Sequence, residues 1–494
     1  MSVAHYLTKL VRHSAIYGVA DVLGRAMGFL LIPFYTRALP QEAFGQLEIL
    51  HVFQTFGVMV LSLGQVGTLM RFFSRSDSEE DRARAVAAAL PIVISSSVVF
   101  LALLFFLAPW LATRLLADAS LDVLFFILSA GIIARIVTDV PLTLFRLREA
   151  STSYGLASLC RLIFTLVTIL VLVVGFGWGL KGVIVGEAVG AIVLFLVLAP
   201  NLVRKLLPFP GWAALRKHLR FGWPLVVGNL GVFVLLGIDK IFLASLGQVT
   251  DVAIYSIGGK FFVLLNILVF APFSLVWGPL VFRISQEQTE PEARRIFSRL
   301  LTYFCVVVLV LAVGLVLFSR EILWLAAPAE YAGAISVVPI LLVAALCQGA
   351  NKHFQAGLHI TGFTRPIAAS TTIAAVVNIV GNYLLIPPFG ILGAAVTSAV
   401  SYVVMCVVLA RTSYQRYPVH YEWKRIATLL AFAALVGATA LHWNRLDSWM
   451  WSGLGKAAST LVFPLALWFG GFFSATERRE AVSWLKRLSS REQA

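Results

Sequence analysis

The 494-residue chain is 60% hydrophobic and only 13% charged, with a formal net charge of +15. A soluble globular domain is nearer half apolar and a quarter charged, so this composition is not that of a soluble enzyme. Cytoplasmic loops of membrane proteins carry an excess of lysine and arginine, which explains the positive charge without nucleic-acid binding.

Apolar runs long enough to cross a bilayer recur along the whole chain. A helix needs roughly 20 apolar residues to cross about 30 Å of hydrocarbon. Charge clusters, turn residues and interfacial tryptophans mark where the runs end. The sequence therefore predicts an all-α polytopic membrane protein of about fourteen transmembrane helices, at residues 14–36, 46–70, 86–108, 121–141, 155–175, 180–200, 222–245, 253–276, 297–318, 333–353, 363–386, 390–411, 425–443 and 455–473.

Lysine and arginine are unevenly divided between the two sides of these predicted helices. Most of the 39 lie in the tails and in the even-numbered loops. Both termini are therefore predicted to be cytoplasmic. Two basic amphipathic stretches, Trp212 to Arg220 and Glu477 to Arg491, are predicted to lie on the inner membrane surface.

An internal repeat divides the chain. Residues 179–199 align with 390–410 at an offset of 211 residues, and the same offset pairs Phe44-Gly45 with Tyr255-Ser256. Two six-helix halves of the same orientation would be related by an axis along the membrane normal, with substrate bound between them. The predicted domains are an N-terminal lobe (1–211), a C-terminal lobe (212–422) and two extra helices with a basic tail (423–494).

Charged residues recur at membrane depth, where inserting each one costs roughly 2.5–3.5 kcal/mol of free energy. Asp21 and Arg25 are four residues apart in the first predicted helix, and Arg135 and Asp139 repeat the spacing in the fourth. Residues four apart share a helix face, so each pair can neutralise itself. Local neutralisation and a shared cavity both remain open for these pairs.

Other intramembrane charges have no partner nearby in the sequence. For Arg161, Glu187 and Lys260 this favours a water-filled cavity. Asp239 and Lys240 are also compatible with the outer interface. The predicted substrate cavity holds Arg25, Arg135, Arg161 and Lys260, and the predicted coupling or charge-balancing residues are Asp21, Asp139, Glu187, Glu48, Asp239 and Lys240. Arginine suits a phosphate because its planar guanidinium binds two oxygens at once.

Three further residue types have simpler interpretations. His51 is interpreted as a hydrogen-bonded packing residue, and Asn378 and Asn382 as interhelical hydrogen-bonding groups. The cysteines Cys160, Cys305, Cys347 and Cys406 lie far apart in predicted helices. Because they lack metal-ligand spacing, no metal site or disulfide framework is predicted.

The start of the chain resembles a known family. Ser14-Ala15-Ile16-Tyr17-Gly18, then residues 24–37, then Phe44-Gly45 are similar to the opening of Wzx-type polysaccharide-transporter flippases of the multidrug/oligosaccharidyl-lipid/polysaccharide exporter superfamily. The twelve-plus-two helix plan is similar too. The resemblance implies a flippase that moves undecaprenyl-diphosphate-linked oligosaccharide from the inner to the outer leaflet of the bacterial inner membrane by alternating access.

The resemblance also implies details of the mechanism. In the related lipid II flippase an arginine before a Gly-Phe pair in the first helix contacts the diphosphate, and Arg25 before Gly28-Phe29 matches that position. It implies a role in polysaccharide biosynthesis, such as that of O-antigen or lipopolysaccharide. No cofactor is expected, because an ion gradient or the membrane potential supplies the energy; the ion stays open. A monomer is expected, with a polysaccharide polymerase and glycosyltransferases as candidate partners.

Two rival functions remain. A multidrug or toxin cation antiporter of the same superfamily would depend on unpaired acids, so that Asp21, Asp139 and Glu187 would dominate. A membrane-embedded polysaccharide biosynthesis enzyme would need a catalytic cluster on an outward loop, and none is evident in the sequence. No Gly-rich phosphate-binding loop with a Lys-Ser/Thr pair occurs, so ATP hydrolysis is not predicted.

Overall fold

The computed structural model describes residues 28–76, 78–206, 210–444 and 448–479. Within these ranges the chain is helical and holds no β-strand, which confirms the predicted all-α class. Short π- or 3-10-helical segments lie at 112–116, 119–121, 171–175, 266–270 and 329–336. The α-helices are α1 (Ile32–Ala38), α2 (Gln41–Leu61), α3 (Gln65–Arg75), α4 (Glu79–Leu111), α5 (Asp122–Leu147), α6 (Ser151–Leu170), α7 (Gly179–Leu206), α8 (Trp212–Leu246), α9 (Val249–Leu265), α10 (Ala271–Glu287), α11 (Glu290–Leu317), α12 (Ser319–Ala326), α13 (Val338–Ile360), α14 (Arg365–Arg416), α15 (Trp423–Ala438), α16 (Ala440–Trp443) and α17 (Trp449–Phe469).

Ten helical stretches of the described chain are long and apolar enough to cross a membrane. An eleventh is obtained if the bent pair Ala329–Ser336 and Val338–Ile360 is one span. The polytopic membrane class is therefore confirmed. The number fourteen stays a prediction, because the first predicted helix lies largely outside the described residues and α14 covers two predicted helices.

The helix α14 contains one break. Pro387 and Pro388 lack the N–H groups that an uninterrupted helix needs, and Gly390 has a φ of 54° and a ψ of −129°. Residues with a side chain rarely adopt this conformation, whereas glycine does so readily. The break lies where the sequence predicted the boundary between helices 363–386 and 390–411.

The predicted helix 46–70 is interrupted, unlike the sequence expectation. Helix α2 ends at Leu61 and α3 begins at Gln65, with Gly64 before it at a φ of 67°. A Cβ added at Gly64 would lie 2.6 Å from the carbonyl oxygen of Gly222. The turn thus permits a close approach of two backbone segments, which the hydrophobic pattern does not reveal.

The first compact unit comprises the described residues of Met1–Lys260, Ala326–Val337 and Ala368–Met405. Its helices touch through small residues, as is common in membrane proteins. A Cβ added at Gly131 on α5 would lie 2.9 Å from the Cα of Ala188 on α7. Glycine at this position therefore brings the two helices into backbone contact.

Gly45 is needed where α2 meets the start of α9. A Cβ added there would lie 2.1 Å from the carbonyl oxygen of Val249. Gly45→Ala is expected to reduce the yield of folded protein, because overpacking costs about 1–3 kcal/mol and more where backbone must move. Size-exclusion chromatography of a fluorescent fusion measures the yield. Gly259→Ala on α9, where an added Cβ meets nothing within 4 Å, is the control; equal yields of the two variants would contradict the prediction.

The second compact unit comprises the described residues of Phe261–Leu325, Val338–Ile367 and Cys406–Ala494. Its main core joins α11, α13, α15 and α17. The thiol of Cys406 donates to the carbonyl oxygen of Cys347 at 3.2 Å, as expected of a cysteine that serves as a packing residue. The cysteines are free thiols.

A hydrogen-bonded carboxylate fixes the last described helical turn to this second unit. Glu477 accepts from the hydroxyl of Tyr303 at 2.6 Å and from the backbone N–H of Ser474 at 2.7 Å, and lies 3.2 Å from Arg425. Burial opposes ionisation, but these donors outweigh it and lower the pKa of Glu477 to about 2. The predicted amphipathic tail therefore begins at a fixed point, while residues 480–494 lie outside the described chain.

Candidate functional site

Glu48 is the centre of a buried ionic cluster in the first unit. Its side chain on α2 is only 4% exposed. The ammonium group of Lys240, on α8, lies 2.5 Å from Oε2, and that of Lys260, on α9, lies 2.8 Å from Oε1. One carboxylate therefore binds two lysines brought from two different helices.

The cluster continues along the same face of α2. His51, one turn beyond Glu48, places Nε2 at 2.9 Å from Oε1 of Glu187 on α7, and its Nδ1 lies 4.0 Å from Glu48. The side-chain amide of Gln54 donates to the other oxygen of Glu187 at 3.4 Å. His51 thus bridges two carboxylates. The sequence contained a signal for this arrangement, since Glu48, His51 and Gln54 recur at three-residue spacing.

The charges in this cluster balance. Two carboxylates face two ammonium groups, so the sum is zero with a neutral His51 and +1 with a protonated one. Charges at membrane depth need such compensation. The structure brings together four residues predicted as site residues, Glu48, Glu187, Lys240 and Lys260. Lys260, predicted for the cationic cavity, is bound to Glu48 here.

Asp239 on α8 lies in a second, separate cluster of neutral groups. It is 4% exposed rather than open at an outer surface. Its Oδ1 accepts from the amide of Asn382 at 2.7 Å, and its Oδ2 accepts from the hydroxyls of Tyr255 at 2.7 Å and Ser398 at 2.5 Å. No lysine or arginine nitrogen of the described chain lies within 4.0 Å of Asp239, which is therefore a buried carboxylate without a direct counter-charge.

Unused polar atoms occur on Asn382 and beside two other members of the Asp239 cluster in the sequence. Among the described residues, the side-chain oxygen of Asn382 is buried without a hydrogen-bond partner, as are those of Ser256 and Thr397, the chain neighbours of Tyr255 and Ser398. Asn378 accepts from the amide of Asn382 at 3.0 Å within α14, and Asn382 alone of the two makes the interhelical bond to Asp239 on α8. Carboxylate, amide and hydroxyl oxygens are ligands for small hard cations, and a buried carboxylate also takes up a proton. The cluster has the chemistry for either ion.

A third group of charges joins α5 and α6. Asp139 lies within electrostatic range of Arg135, Arg161 and Arg146. Yet none of these arginines has a carboxylate oxygen within 4.0 Å in the part of the chain that the structure describes. Arg135 and Asp139, although four residues apart, do not form the direct pair that the spacing permits. Arg146 was not singled out in the sequence; its guanidinium lies 5.1 Å from the ring of Tyr154.

Cations are in excess in this third group. Arg135, Asp139 and Arg161 are all half-buried, and two or three guanidinium groups face a single carboxylate. A guanidinium without a bound carboxylate retains its full capacity to bind an anion through two parallel hydrogen bonds. Arg25, which the sequence placed in the same cavity, and Asp21, predicted to couple or balance charge, lie outside the described residues.

None of these three groups is a transition-metal site of the usual kind. Among the described residues there is no group of three or more His, Cys, Asp or Glu side chains that could hold a metal ion. The first unit therefore holds three kinds of polar group. They are the ion pairs around Glu48, the carboxylate of Asp239 among amides and hydroxyls, and the guanidinium groups near Asp139.

Curated proteins similar to this chain come from archaea and bacteria. Over 176 residues the chain is 27% identical to the probable low-salt glycan biosynthesis flippase Agl15 of Haloferax volcanii, covering 33% of this chain and 37% of that protein. Over 233 residues it is 27% identical to an uncharacterized membrane protein of Methanocaldococcus jannaschii, covering 44% of each. The chain thus spans about two fifths of the length of these relatives.

Solved structures with the same fold cover most of the chain. The lipid II flippase MurJ in an inward closed conformation matches with a TM-score of 0.70 at 14% identity, covering 93% of this chain and 99% of that one. An inward-facing multidrug resistance MATE family transporter of the MOP superfamily matches with a TM-score of 0.63 at 16% identity, covering 82% and 94%. These likenesses establish the fold.

Family membership is given by the sequence profile. Residues 10–285, more than half of the chain, match the family described as polysaccharide biosynthesis protein. The match includes the charged residues of all three groups, on α2 and α5 to α9, but not Asn382 and Ser398 on α14. The chain therefore belongs to the polysaccharide biosynthesis protein family, within the fold that MurJ and the MATE transporters share.

Proposed function

We propose that this protein is a flippase that moves an undecaprenyl-diphosphate-linked oligosaccharide from the inner to the outer leaflet of the bacterial inner membrane, by alternating access. The observation that carries the proposal is the pair of arginines Arg135, on α5, and Arg161, on α6. Both side chains are half-buried, and neither guanidinium group binds a carboxylate in the described chain. A diphosphate offers the paired oxygens that guanidinium groups bind.

The similar proteins support a flippase rather than a membrane-embedded polysaccharide biosynthesis enzyme. The family is one of polysaccharide biosynthesis, a relative is named as a glycan biosynthesis flippase, and the fold is that of a lipid II flippase. The proposed glycan is an envelope polysaccharide such as O-antigen. Membrane lipids are the surrounding partners, both termini are proposed to be cytoplasmic, and the protein is proposed to act as a monomer that a glycosyltransferase system supplies.

The cation-antiporter alternative rests on the acidic groups. The MATE family transporters share the fold, and Asp239 is a buried carboxylate without a direct basic partner. We assign this carboxylate to the coupling ion rather than to an organic cation, because its surroundings are small hydroxyl and amide groups instead of an apolar cavity. The Glu48 cluster, in which two carboxylates face two ammonium groups, would balance charge.

The three cavity arginines provide the test. Arg25→Ala, Arg135→Ala and Arg161→Ala are each expected to lower surface glycan and to accumulate lipid-linked glycan on the cytoplasmic side. One lost charge-assisted bond of roughly 1.5–3 kcal/mol corresponds to about a ten- to a hundredfold loss of transport. Lysine at the same positions is expected to restore part of the activity.

The measurement is complementation of a strain that lacks the gene, with membrane protein levels quantified. Arg84→Ala is the matched control, since Arg84 is exposed and paired with Glu80 at 2.6 Å. A well-expressed Arg161→Ala variant that exports like wild type would remove this arginine from the mechanism. A cation-drug resistance phenotype without any change in surface glycan would favour the antiporter.

A further inference from the structure

The first turns of α8 present an exposed face that carries both tryptophans and arginines. At 3.6 residues per turn, Trp212, Arg216, Leu219, Arg220 and Trp223 fall within about 100° of arc on the helix. Trp212 is 79% exposed, Leu219 41% and Trp223 59%, and both arginines are exposed. The face is therefore aromatic and cationic at once.

The end of α3 extends this surface. The guanidinium of Arg71 lies 4.3 Å from the ring centre of Phe221, and the ammonium of Lys217 lies 4.8 Å from that of Phe72. The two phenylalanine rings are 5.9 Å apart. We call the resulting surface the basic–aromatic patch; its members are Trp212, Arg216, Lys217, Arg220, Trp223 and Arg71.

The patch is not neutralised within its unit. None of its four cations has a carboxylate within 4.0 Å among the residues that the structure describes. Neighbouring arginines behave differently: Arg84 lies 2.6 Å from Glu80, and Arg148 lies 3.8 Å from Glu79. Basic residues that only set the membrane topology of a protein act through their number on one side of the membrane. Such a role does not explain why tryptophans lie beside them on the helix or why they have no acidic partners.

We propose that the basic–aromatic patch is a binding site for anionic phospholipid headgroups. The rings of Trp212 and Trp223, with the neighbouring side chain of Leu219, would enter the boundary between headgroups and acyl chains, where amphipathic aromatic side chains reside. The guanidinium groups of Arg216 and Arg220 would bind the lipid phosphates through paired hydrogen bonds. Charge complementarity selects this occupant, because an anionic membrane surface attracts clustered lysine and arginine.

Binding of lipid here would fix the start of α8. The same helix holds Lys240 in the Glu48 cluster and Asp239 among its neutral partners. Lipid bound at one end of α8 would therefore set the position of a helix that supplies both buried clusters. The inference does not rest on the proposed substrate, since it concerns bulk membrane lipid.

Native mass spectrometry of the purified full-length protein tests the proposal. Phosphatidylglycerol and phosphatidylcholine are each titrated into wild type and into the patch variant Arg216→Gln/Arg220→Gln. The control is Arg84→Gln/Arg148→Gln, which removes the same number of positive charges from arginines that are paired with glutamates. The patch variant is expected to bind phosphatidylglycerol about twenty- to thirtyfold more weakly, from two surface charges. Phosphatidylcholine binding is expected to be unchanged, and the control to stay within about twofold of wild type.

A second variant removes the aromatic part while keeping the charge. Trp212→Ala/Trp223→Ala is expected to weaken binding to phosphatidylglycerol vesicles and to make the remaining binding more salt-dependent, because only the electrostatic part is left. Melting temperatures establish that both variants are folded.

Three results would overturn the lipid site. Equal weakening in the patch variant and the control would mean a net-charge effect, and undiminished phosphatidylglycerol binding in a folded patch variant would mean that the patch takes no lipid. Binding of inorganic diphosphate that disappears in the patch variant, with phosphatidylglycerol binding unchanged, would assign the patch to a diphosphate ligand instead.

Discussion

Glu48→Ala is expected to destabilise the folded protein strongly, because the substitution removes the carboxylate that two lysines share. The carboxylate binds Lys240 at 2.5 Å and Lys260 at 2.8 Å. Its removal leaves two ammonium groups without a counter-charge. Breaking a buried ion pair by removing one partner costs roughly 3–5 kcal/mol, a large part of the 5–15 kcal/mol that is typical of folded proteins.

The melting temperature of the detergent-purified protein measures this effect. Glu42→Ala is the matched control, because Glu42 is exposed on the same helix and is expected to change stability by less than about 0.5 kcal/mol. A third variant, in which Glu48, Lys240 and Lys260 are all replaced by methionine, is expected to recover stability but not transport, since apolar groups can replace buried charges. A Glu48→Ala protein as stable as Glu42→Ala would contradict the central place of this carboxylate.

Asp239→Asn is expected to leave the protein folded and to abolish the dependence of transport on an ion gradient. Asparagine has the size of aspartate, and the hydroxyls of Tyr255 and Ser398 can either donate or accept. The substitution removes only the charge that would bind a proton or a small cation. Moving one charge across 100 mV supplies about 2.3 kcal/mol, so the expected loss of gradient-driven transport is roughly fortyfold.

Reconstituted vesicles with imposed proton or sodium gradients provide the measurement. Wild type is expected to transport faster with one of the two gradients, which identifies the ion, whereas the Asp239→Asn variant should transport equally slowly with and without it. Asp118→Asn is the control, since Asp118 is exposed and its carboxylate accepts hydrogen bonds only from Ser120 among the described residues. A gradient response of Asp239→Asn equal to that of wild type would show that coupling occurs elsewhere.

The hydrophobic pattern predicted the helices well and their interruptions incompletely. Long apolar runs must form helices in a bilayer, because every backbone polar group needs an internal partner there. The break at Gly390 was evident from two prolines and a glycine. The break at Gly64 was not, because it depends on the approach of Gly222 from a distant segment.

The candidate site was predicted residue by residue but not as an arrangement. Glu48, Glu187, Lys240 and Lys260 were each expected because charge is expensive in hydrocarbon. Their partners are supplied by helices up to 212 positions apart in sequence. His51, expected as a hydrogen-bonded packing residue, lies 2.9 Å from Glu187 and 4.0 Å from Glu48. Arg135 and Asp139 are the opposite case. Their four-residue spacing permits an ion pair within α5, but their side chains do not form one.

The sequence by itself determined the membrane class, the all-α fold, the approximate position of most helices and the family, because these follow from composition, local periodicity and short motifs. The tertiary structure decided which charges neutralise one another. It binds Glu48 to two lysines, surrounds Asp239 with neutral donors and leaves Arg135 and Arg161 without a bound carboxylate. Such pairings depend on distances between helices that are remote in the chain, and local sequence does not encode those distances.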